Sequence, residues 1–154
     1  MIDIYSNKTV VITGHTGFKG SWLTAWLKLM GANVIGISLD PPTSPSHFHT
    51  ANILDSIDDC RIDIRNIDEI KKKICETSPD FLFHLAAQPI VGRSYENPLE
   101  TWSTNVIGTI NILEALRFHK DKCTAVIITS DKCYDNLEWE WGYRENDALG
   151  GPDP

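Results

Sequence analysis

The 154-residue sequence predicts an α/β fold: a Rossmann-like, doubly wound parallel sheet with helices on both faces. Three observations favour this class. Short β-branched segments alternate with amphipathic segments of helical length over residues 9–129, as in βαβ units. Three glycines at three-residue spacing join the first strand segment to the first helical segment. The segment 81–85, FLFHL, is apolar almost throughout, which is typical of a strand buried on both faces.

The first half of the chain gives two strands and one helix. Residues 9–13 are the first predicted strand, and residues 21–30 are the first predicted helix. Gly31 is expected to end that helix because glycine readily adopts the left-handed conformation required there. Residues 33–38 are the second strand, and a loop rich in proline and serine follows over 41–46.

The second half continues the alternation. Residues 60–64 are predicted as the third strand, and a helix begins at Asn66. The buried strand is followed by the longest helix, residues 98–118, whose proline suits a first turn. Residues 125–129 are the fifth strand, after which the sheet is expected to end with an exposed edge. The whole chain, 1–154, is therefore predicted as one domain.

The longest helix has one apolar face, formed by Trp102, Val106, Ile110, Leu113 and Leu116.

Composition and charge exclude several classes of partner. The formal net charge of −7 disfavours nucleic acid, because binding phosphates requires a basic surface. No stretch reaches the length of a membrane span, and the N-terminus lacks the layout of a signal peptide. The four cysteines form no Cys-x-x-Cys pair, so buried reduced thiols and a cytoplasmic location are expected. No metal site is predicted, since His47 and His49 have no third ligand nearby in the sequence.

The run 14–20, GHTGFKG, is the strongest functional signal. Gly14 permits the tight turn out of the strand, Gly17 lets a pyrophosphate approach the backbone, and Gly20 lets the helix pack against the sheet. The N–H groups of the first helical turn then face the phosphates, aided by the helix dipole. A glycine-rich turn without a ligand is the alternative, but the strand–turn–helix context favours a dinucleotide.

Residues at other strand ends extend this site. Asp40 lies twenty residues beyond Gly20, where a carboxylate hydrogen-bonds the adenosine ribose and repels a 2′-phosphate, so NAD is favoured over NADP. The cation of Lys19 acts against that preference unless it is simply solvated. Asp63 and Ile64 end the third strand and are expected to face the adenine. Small residues over 85–88 are expected to let the cofactor lie against the backbone.

Three motifs resemble the extended short-chain dehydrogenase/reductase family: the glycine run, the run 84–88 (HLAAQ), and a Thr-Asn pair at 104–105. Within that family, further runs are similar to the branch that dehydrates CDP-glucose. These runs are 14–22, 87–89, 129–136 (TSDKCYDN) and 141–145 (WGYRE). The resemblance covers essentially the whole chain, and TSDKCYDN is its most specific part. The residues expected to bind the cofactor are Gly14, Thr16, Gly17, Phe18, Lys19, Gly20, Asp40, Asp63, Ile64, Leu85, Ala86, Ala87, Gln88, Asn105 and Thr129.

The resemblance implies a nucleotide-sugar dehydratase with tightly held NAD. Hydride passes from sugar C4 to NAD, water is eliminated across C5 and C6, and the hydride returns to C6. Ser130 then matches a residue that hydrogen-bonds the reacting sugar hydroxyl, and Asp131 matches the acid that protonates the departing C6 hydroxyl. Lys132 stands where related enzymes carry an acidic residue, and roles as a base or as a stabiliser of enolate charge both remain open. The alternative for all three is a polar turn after a buried strand.

Two further features have open or structural interpretations. Trp139, Trp141 and Tyr143 either line the sugar site or pack a long loop, and the sequence favours neither. His84, at a strand end, is expected to be a packed core histidine and not a catalytic base.

The family's Tyr-x-x-x-Lys pair occurs nowhere in these 154 residues. In relatives its tyrosine follows shortly after a run like 151–154, so we expect an N-terminal portion of a longer enzyme, inactive alone but retaining most of the NAD site. A non-catalytic NAD-binding regulator and another nucleotide-sugar epimerase or dehydratase are the alternatives. The resemblance also implies a homodimer built through two long helices, one of them 98–118, for the full-length enzyme and not for this chain alone.

Overall fold

The computed structural model describes residues 4–151 and contains one sheet of five parallel strands. The strand order is β3-β2-β1-β4-β5. Strands β2 and β3 are therefore added on one side of β1, and β4 and β5 are added on its other side. This is the doubly wound Rossmann topology, and it confirms the predicted fold class. The strands are β1 (Thr9–Thr13), β2 (Asn33–Ser38), β3 (Asp58–Arg61), β4 (Phe81–His84) and β5 (Thr124–Ile127).

Six α-helices and three shorter helical segments are present in the described part of the chain. Helix α1 begins at Phe18, three residues earlier than predicted, and Gly31, with φ of 80°, follows its end as expected. The long predicted helix is continuous over 98–118 but contains an unpredicted π-helical turn, Ser103–Ile107. The helices are α1 (Phe18–Leu29), α2 (His47–Thr50), α3 (Ile67–Thr77), α4 (Val91–Glu96), α5 (Pro98–Trp102) and α6 (Gly108–Phe118), with 3₁₀ turns at Ile53–Ser56 and Asp131–Cys133.

Hydrophobic cores lie on both faces of the sheet because helices cover both. Val10 and Ile12 of β1 point toward α1, whereas Val11 points toward α3 and α6, and all three are fully buried. Successive side chains of β1 point to opposite faces of the sheet, and both faces are covered by helices. Each residue at the centre of the strand is therefore apolar. At the outer edge, β5 pairs only with β4 among the described residues, and Val126 is 43% exposed.

Strands β3 and β5 both end earlier than predicted. The third strand stops at Arg61 instead of residue 64, and the fifth stops at Ile127 instead of residue 129. Pairing with a neighbour sets these limits: Arg61 pairs with Ser38, the last residue of β2, and Ile127 pairs with His84, the last residue of β4. Apolar residues continue past both points, and Ile128 N still donates to His84 O at 3.1 Å, but no described residue of β2 or β4 pairs beyond them.

The apolar face predicted for the long helix is mostly not the buried one. Helix α6 packs against α3 through the side on which Gly108, Ile112 and Ala115 are buried. A Cβ on Gly108 would overlap the end of the Ile64 side chain, so the observed packing of Ile64 on α6 depends on glycine at this position. Leu116 packs at the margin of the core. The other members of the predicted face are between 38% and 59% exposed: Trp102, Val106, Ile110 and Leu113.

The cysteines are all free, but only two of them are partly buried. Cys75 and Cys133 are exposed, which corrects the expectation of buried thiols; Cys75 lies on the solvent side of α3, and Cys133 ends a surface 3₁₀ turn. Within 4–151, no helix is long and apolar enough to cross a membrane, and no three His, Cys, Asp or Glu side chains cluster as metal ligands.

Candidate cofactor-binding site

The three glycines of the loop between β1 and α1 have different surroundings, so the reason for glycine differs among the three positions. Gly14 has φ of 77° and donates its N–H to Ile37 O of β2 at 2.8 Å, and a Cβ on it would lie 2.7 Å from Ala86 N. A Cβ on Gly20 would collide with Gly14 O. Gly17 differs, because its Cβ would meet only Gly14 O, at 3.3 Å. The protein interior therefore requires glycine at two of these positions, whereas the space in front of Gly17 is limited by a single close contact, with Gly14 O.

The N-terminus of α1 provides unpaired donors beside that space. Gly17 is the N-cap and makes no side-chain capping bond, and the first turn carries no acidic residue. Among the described residues, no group accepts a hydrogen bond from the N–H of Phe18, Lys19 or Gly20. Free N–H groups and the positive end of a helix dipole are the kind of groups that bind phosphate in proteins.

Thr16 ties the loop to the end of β2. Its hydroxyl donates to Leu39 O at 3.1 Å and accepts from Ser38 Oγ at 2.8 Å, and the Thr16 side chain is buried. The next residue, Asp40, extends its carboxylate into solvent with 94% of the side chain exposed. The loop is thus held against the end of β2, just before Asp40, and the exposed carboxylate is accessible to a ligand.

A charged network lies behind Asp40. Arg61, at the end of β3, donates from Nη1 to Leu39 O at 2.7 Å and from Nη2 to Asp59 Oδ2 at 2.8 Å. The other Asp59 oxygen accepts from His15 Nε2 at 2.7 Å. The His15 ring fills the space above Gly36, where a Cβ would collide with it. Burial lowers the pKa of His15, so its ring is neutral and connects the glycine loop to β3.

The end of β4 is fixed by a chain of hydrogen bonds through His84. Thr109 donates its hydroxyl to Asn105 O at 2.6 Å and therefore accepts from His84 Nε2 at 2.9 Å. Thr13 donates to His84 Nδ1 at 2.6 Å and accepts from the backbone N–H of Leu85 and of the residue after it, each at 3.2 Å. This network assigns the neutral Nε2–H tautomer to His84. Burial lowers the pKa of His84 to about 4, in agreement with the expected role as a core residue.

The π-helical turn carries the next fixing point. Asn105 accepts from Gln88 N at 2.7 Å and donates to Gln88 O at 3.0 Å, so both backbone groups of Gln88 are held. The Gln88 side chain in turn bonds Ile90 N at 2.7 Å and Thr101 Oγ1 at 3.0 Å. Residues 85–88 are therefore immobilised beside Gly14, although the Gln88 amide is engaged within the protein.

Asp63 and Ile64 lie beyond β3 and not within it, because the strand ends at Arg61. The Asp63 carboxylate pairs with the Arg65 guanidinium, and this hydrogen bond lowers the pKa of Asp63. The Ile64 side chain is 4% exposed and belongs to the core under α6. Any contact of Ile64 with an adenine would therefore be made by its backbone.

Residues 129–132 follow β5 and reach the same edge of the sheet. Ser130 caps the 3₁₀ turn by accepting from Lys132 N at 3.0 Å, and Thr129, Ser130 and Lys132 are exposed. The side chain of Asp131 lies outside the described part of the chain, as do residues 152–154 of the final predicted run. Because the carboxyl ends of parallel strands share one edge, these residues lie on the side of the sheet that carries the glycine loop. Their catalytic roles stay predictions.

The aromatic residues after β5 pack a loop, at least in part. Tyr143 stacks on Tyr134 with ring centroids 5.4 Å apart, accepts from Leu137 N at 2.7 Å, and donates to Asn136 Oδ1 at 2.9 Å. Trp141, by contrast, is 72% exposed and free to contact a ligand. The sequence left both interpretations open, and Tyr143 takes the loop-packing role.

The structure brings most of the predicted residues to one edge of the sheet. It also adds Ser38, Arg61 and Thr109, which the sequence analysis missed. Ser38 ends its strand, and a polar residue at a carboxyl strand end is a signal that was available. Arg61 and Thr109 gave no local signal, because their partners are distant in sequence.

The fold and the glycine loop together are those of a doubly wound, Rossmann-like α/β domain, and comparison with known proteins gives its family. The chain belongs to the GDP-mannose 4,6 dehydratase family, whose model matches residues 11–154. It is 51% identical, over its whole length, to CDP-glucose 4,6-dehydratase of Salmonella typhimurium and spans 44% of that relative. The family resemblance expected from the sequence is thereby confirmed.

Solved structures agree with this assignment. The epimerase Mth375 of Methanothermobacter thermautotrophicus is 29% identical and superposes with a TM-score of 0.79, covering 94% of this chain and 42% of that one. UDP-glucose-4-epimerase of Stenotrophomonas maltophila, solved with bound NAD, shares the fold with a TM-score of 0.79 at 22% identity, covering 96% of this chain and 44% of that one. The chain therefore spans less than half the length of these relatives.

Proposed function

We propose that this chain is the NAD-binding part of an enzyme that dehydrates a nucleotide-activated glucose to a 4-keto-6-deoxy sugar, with CDP-glucose as the favoured substrate. The likeness to the Salmonella enzyme over the entire chain supports this reaction and this substrate. Another nucleotide-sugar epimerase or dehydratase of the same family is the alternative. The observation that carries the proposal is the group of three unpaired N–H donors at the N-terminus of α1, beside the glycine loop.

The described residues fit NAD in three places. The α1 N–H groups would bind the pyrophosphate, which is the negatively charged part of the cofactor. The exposed Asp40 carboxylate would accept hydrogen bonds from the adenosine ribose. The backbone of 85–88, held by Asn105, would support the half that carries the nicotinamide. When bound, NAD would supply the hydride acceptor and donor that the dehydration needs.

Ser130, Asp131 and Lys132 are proposed to act on the sugar from the adjoining strand end. Ser130 would hydrogen-bond the reacting hydroxyl, Asp131 would protonate the departing C6 hydroxyl, and Lys132 would act as base or stabilise enolate charge. The exposure of Ser130 and Lys132 is consistent with contact to a substrate arriving from solvent.

A homodimer is proposed for the full-length enzyme, through the exposed apolar face of the long helix. Trp102, Val106, Ile110 and Leu113 form this face, and each is more than one third exposed. A contiguous apolar patch rimmed by polar residues marks an interaction site.

Calorimetric titration of the chain with NAD tests the proposed cofactor site, and an assay for 4-keto sugar from CDP-glucose tests its activity. We expect NAD to bind and no 4-keto sugar to form, because a general base positioned by a Tyr-x-x-x-Lys motif contributes about two to four orders of magnitude and the motif is absent from the sequence. Failure to bind NAD would overturn the cofactor site. Robust turnover by the chain would show that the motif is not needed.

A further inference from the structure

The guanidinium of Arg61 lies beside the carboxylate proposed to bind the adenosine ribose. Its Nη1 is 3.8 Å from Asp40 Oδ1, and the Asp40 side chain makes no hydrogen bond and no closer ion pair within the described structure. Asp40 is almost fully exposed and Arg61 is one third exposed, so a ligand can reach both. A ribose 2′-oxygen bonded to Asp40 would thus place any group attached to it within reach of Arg61.

Arg61 is held rigidly and still has donors to spare. Leu39 O and Asp59 Oδ2 accept from its two terminal nitrogens, and its plane lies over the Phe48 ring at 5.4 Å. Within residues 4–151 these bonds use two of the five N–H groups of a guanidinium, so three remain for another acceptor. An ordered guanidinium with free donors is the group that proteins use to bind phosphate, often through two hydrogen bonds.

We propose that Arg61 is a phosphate-binding group masked by Asp40, and that this pair sets the preference for NAD over NADP. The inference rests on the proposed NAD site and extends it. In NAD the 2′-hydroxyl donates to Asp40, whose negative charge offsets the nearby guanidinium. In NADP the 2′-phosphate meets the carboxylate, and repulsion prevents it from using Arg61. Removal of the Asp40 charge therefore opens a site that already exists.

A merely structural role for Arg61 predicts a different result. Its bond to Leu39 O supports the peptide that precedes Asp40. If that were its whole contribution, loss of Arg61 would weaken NAD and NADP equally. The ratio of the NAD and NADP dissociation constants therefore distinguishes a role of Arg61 in cofactor specificity from a role in supporting the peptide before Asp40.

The experiment measures the dissociation constants of NAD and NADP by calorimetry for the chain and for D40N, R61Q and the double variant D40N/R61Q. D40N is expected to tighten NADP binding by roughly tenfold to a hundredfold, the range of a charge-assisted hydrogen bond. The double variant is expected to lose that gain. The matched control is E114Q, which removes a carboxylate paired with Arg117 at 2.7 Å on α6 and should change neither constant.

The outcomes separate this inference from the proposed function. If NAD binds but D40N gains no affinity for NADP, or if the gain persists in D40N/R61Q, the masked-phosphate inference is wrong and the cofactor site stands. If the unsubstituted chain binds no NAD, the cofactor site fails and this inference fails with it. Circular dichroism verifies folding, and R61M, which keeps an unbranched apolar side chain at this position, takes the place of R61Q should that variant unfold.

Discussion

Alanine substitution at the three loop glycines should separate binding from folding. A Cβ on Gly17 would make one tight contact, 3.3 Å from Gly14 O, whereas a Cβ on Gly14 or Gly20 would lie less than 3 Å from several backbone atoms. Gly17→Ala places a methyl group where the pyrophosphate is proposed to approach, and it requires only a small shift of Gly14 O. Gly14→Ala and Gly20→Ala instead drive a methyl group into the protein interior.

The expected costs follow from the local geometry. Gly17 is an N-cap with φ of −72°, a conformation that alanine adopts without strain, so its poorer capping and the tight contact with Gly14 O together cost about 1 kcal/mol of unfolding free energy. Gly14 has φ of 77°, which costs an L-residue about 1–2 kcal/mol, and the clash with the backbone of Ala86 adds about 1–3 kcal/mol. At Gly20 the collision with Gly14 O alone is expected to cost about 3 kcal/mol or more.

Urea unfolding and NAD titration of each variant check this prediction. Gly17→Ala should unfold near the midpoint of the parent chain while its NAD dissociation constant rises by about tenfold or more. The other two variants should be clearly less stable. Unchanged NAD binding in Gly17→Ala would refute the placement of the pyrophosphate at this loop, and a Gly20→Ala as stable as Gly17→Ala would refute the packing argument.

Two further predictions concern the core and the proposed dimer. Because burial lowers the pKa of His84 from 6.5 to about 4, its contribution to stability is complete above pH 6.5 and is lost as the pH falls toward 4, by about 3 kcal/mol in total. The pKa of His15 is also lowered, so protonation of His15 destabilises the fold in the same pH range. The urea midpoint of the parent chain should therefore fall on acidification, and that of His84→Gln should fall less steeply. An equal dependence of the midpoint on pH in the two proteins would contradict this prediction. In a full-length protein, Leu113→Glu should convert a dimer to monomers in sedimentation without changing NAD affinity, and an intact dimer would place the interface elsewhere.

The sequence predicted the fold because its signals are local. The β-branched strands, the glycine spacing and Gly31 each depend on neighbours a few residues away, and each is found as expected. The predicted ends of β3 and β5 were wrong, because pairing with β2 and β4 decides where each strand stops. The apolar face of the long helix was misjudged for a similar reason. Helix α6 is buried on the side where Gly108 allows close approach to Ile64, and a hydrophobic pattern does not reveal that distance.

The sequence by itself determined the fold class and the family, and it marked the glycine loop and Asp40 as candidate ligand-binding residues, because each signal is encoded in a short run of residues. Only the tertiary structure decided what surrounds the Asp40 carboxylate. Arg61 reaches Asp40 and Leu39 across 21 and 22 residues of chain, and Thr109 reaches His84 across 25. Such contacts arise from the packing of parallel strands and helices, so the fixed tautomer of His84 and the guanidinium beside Asp40 become visible only in three dimensions.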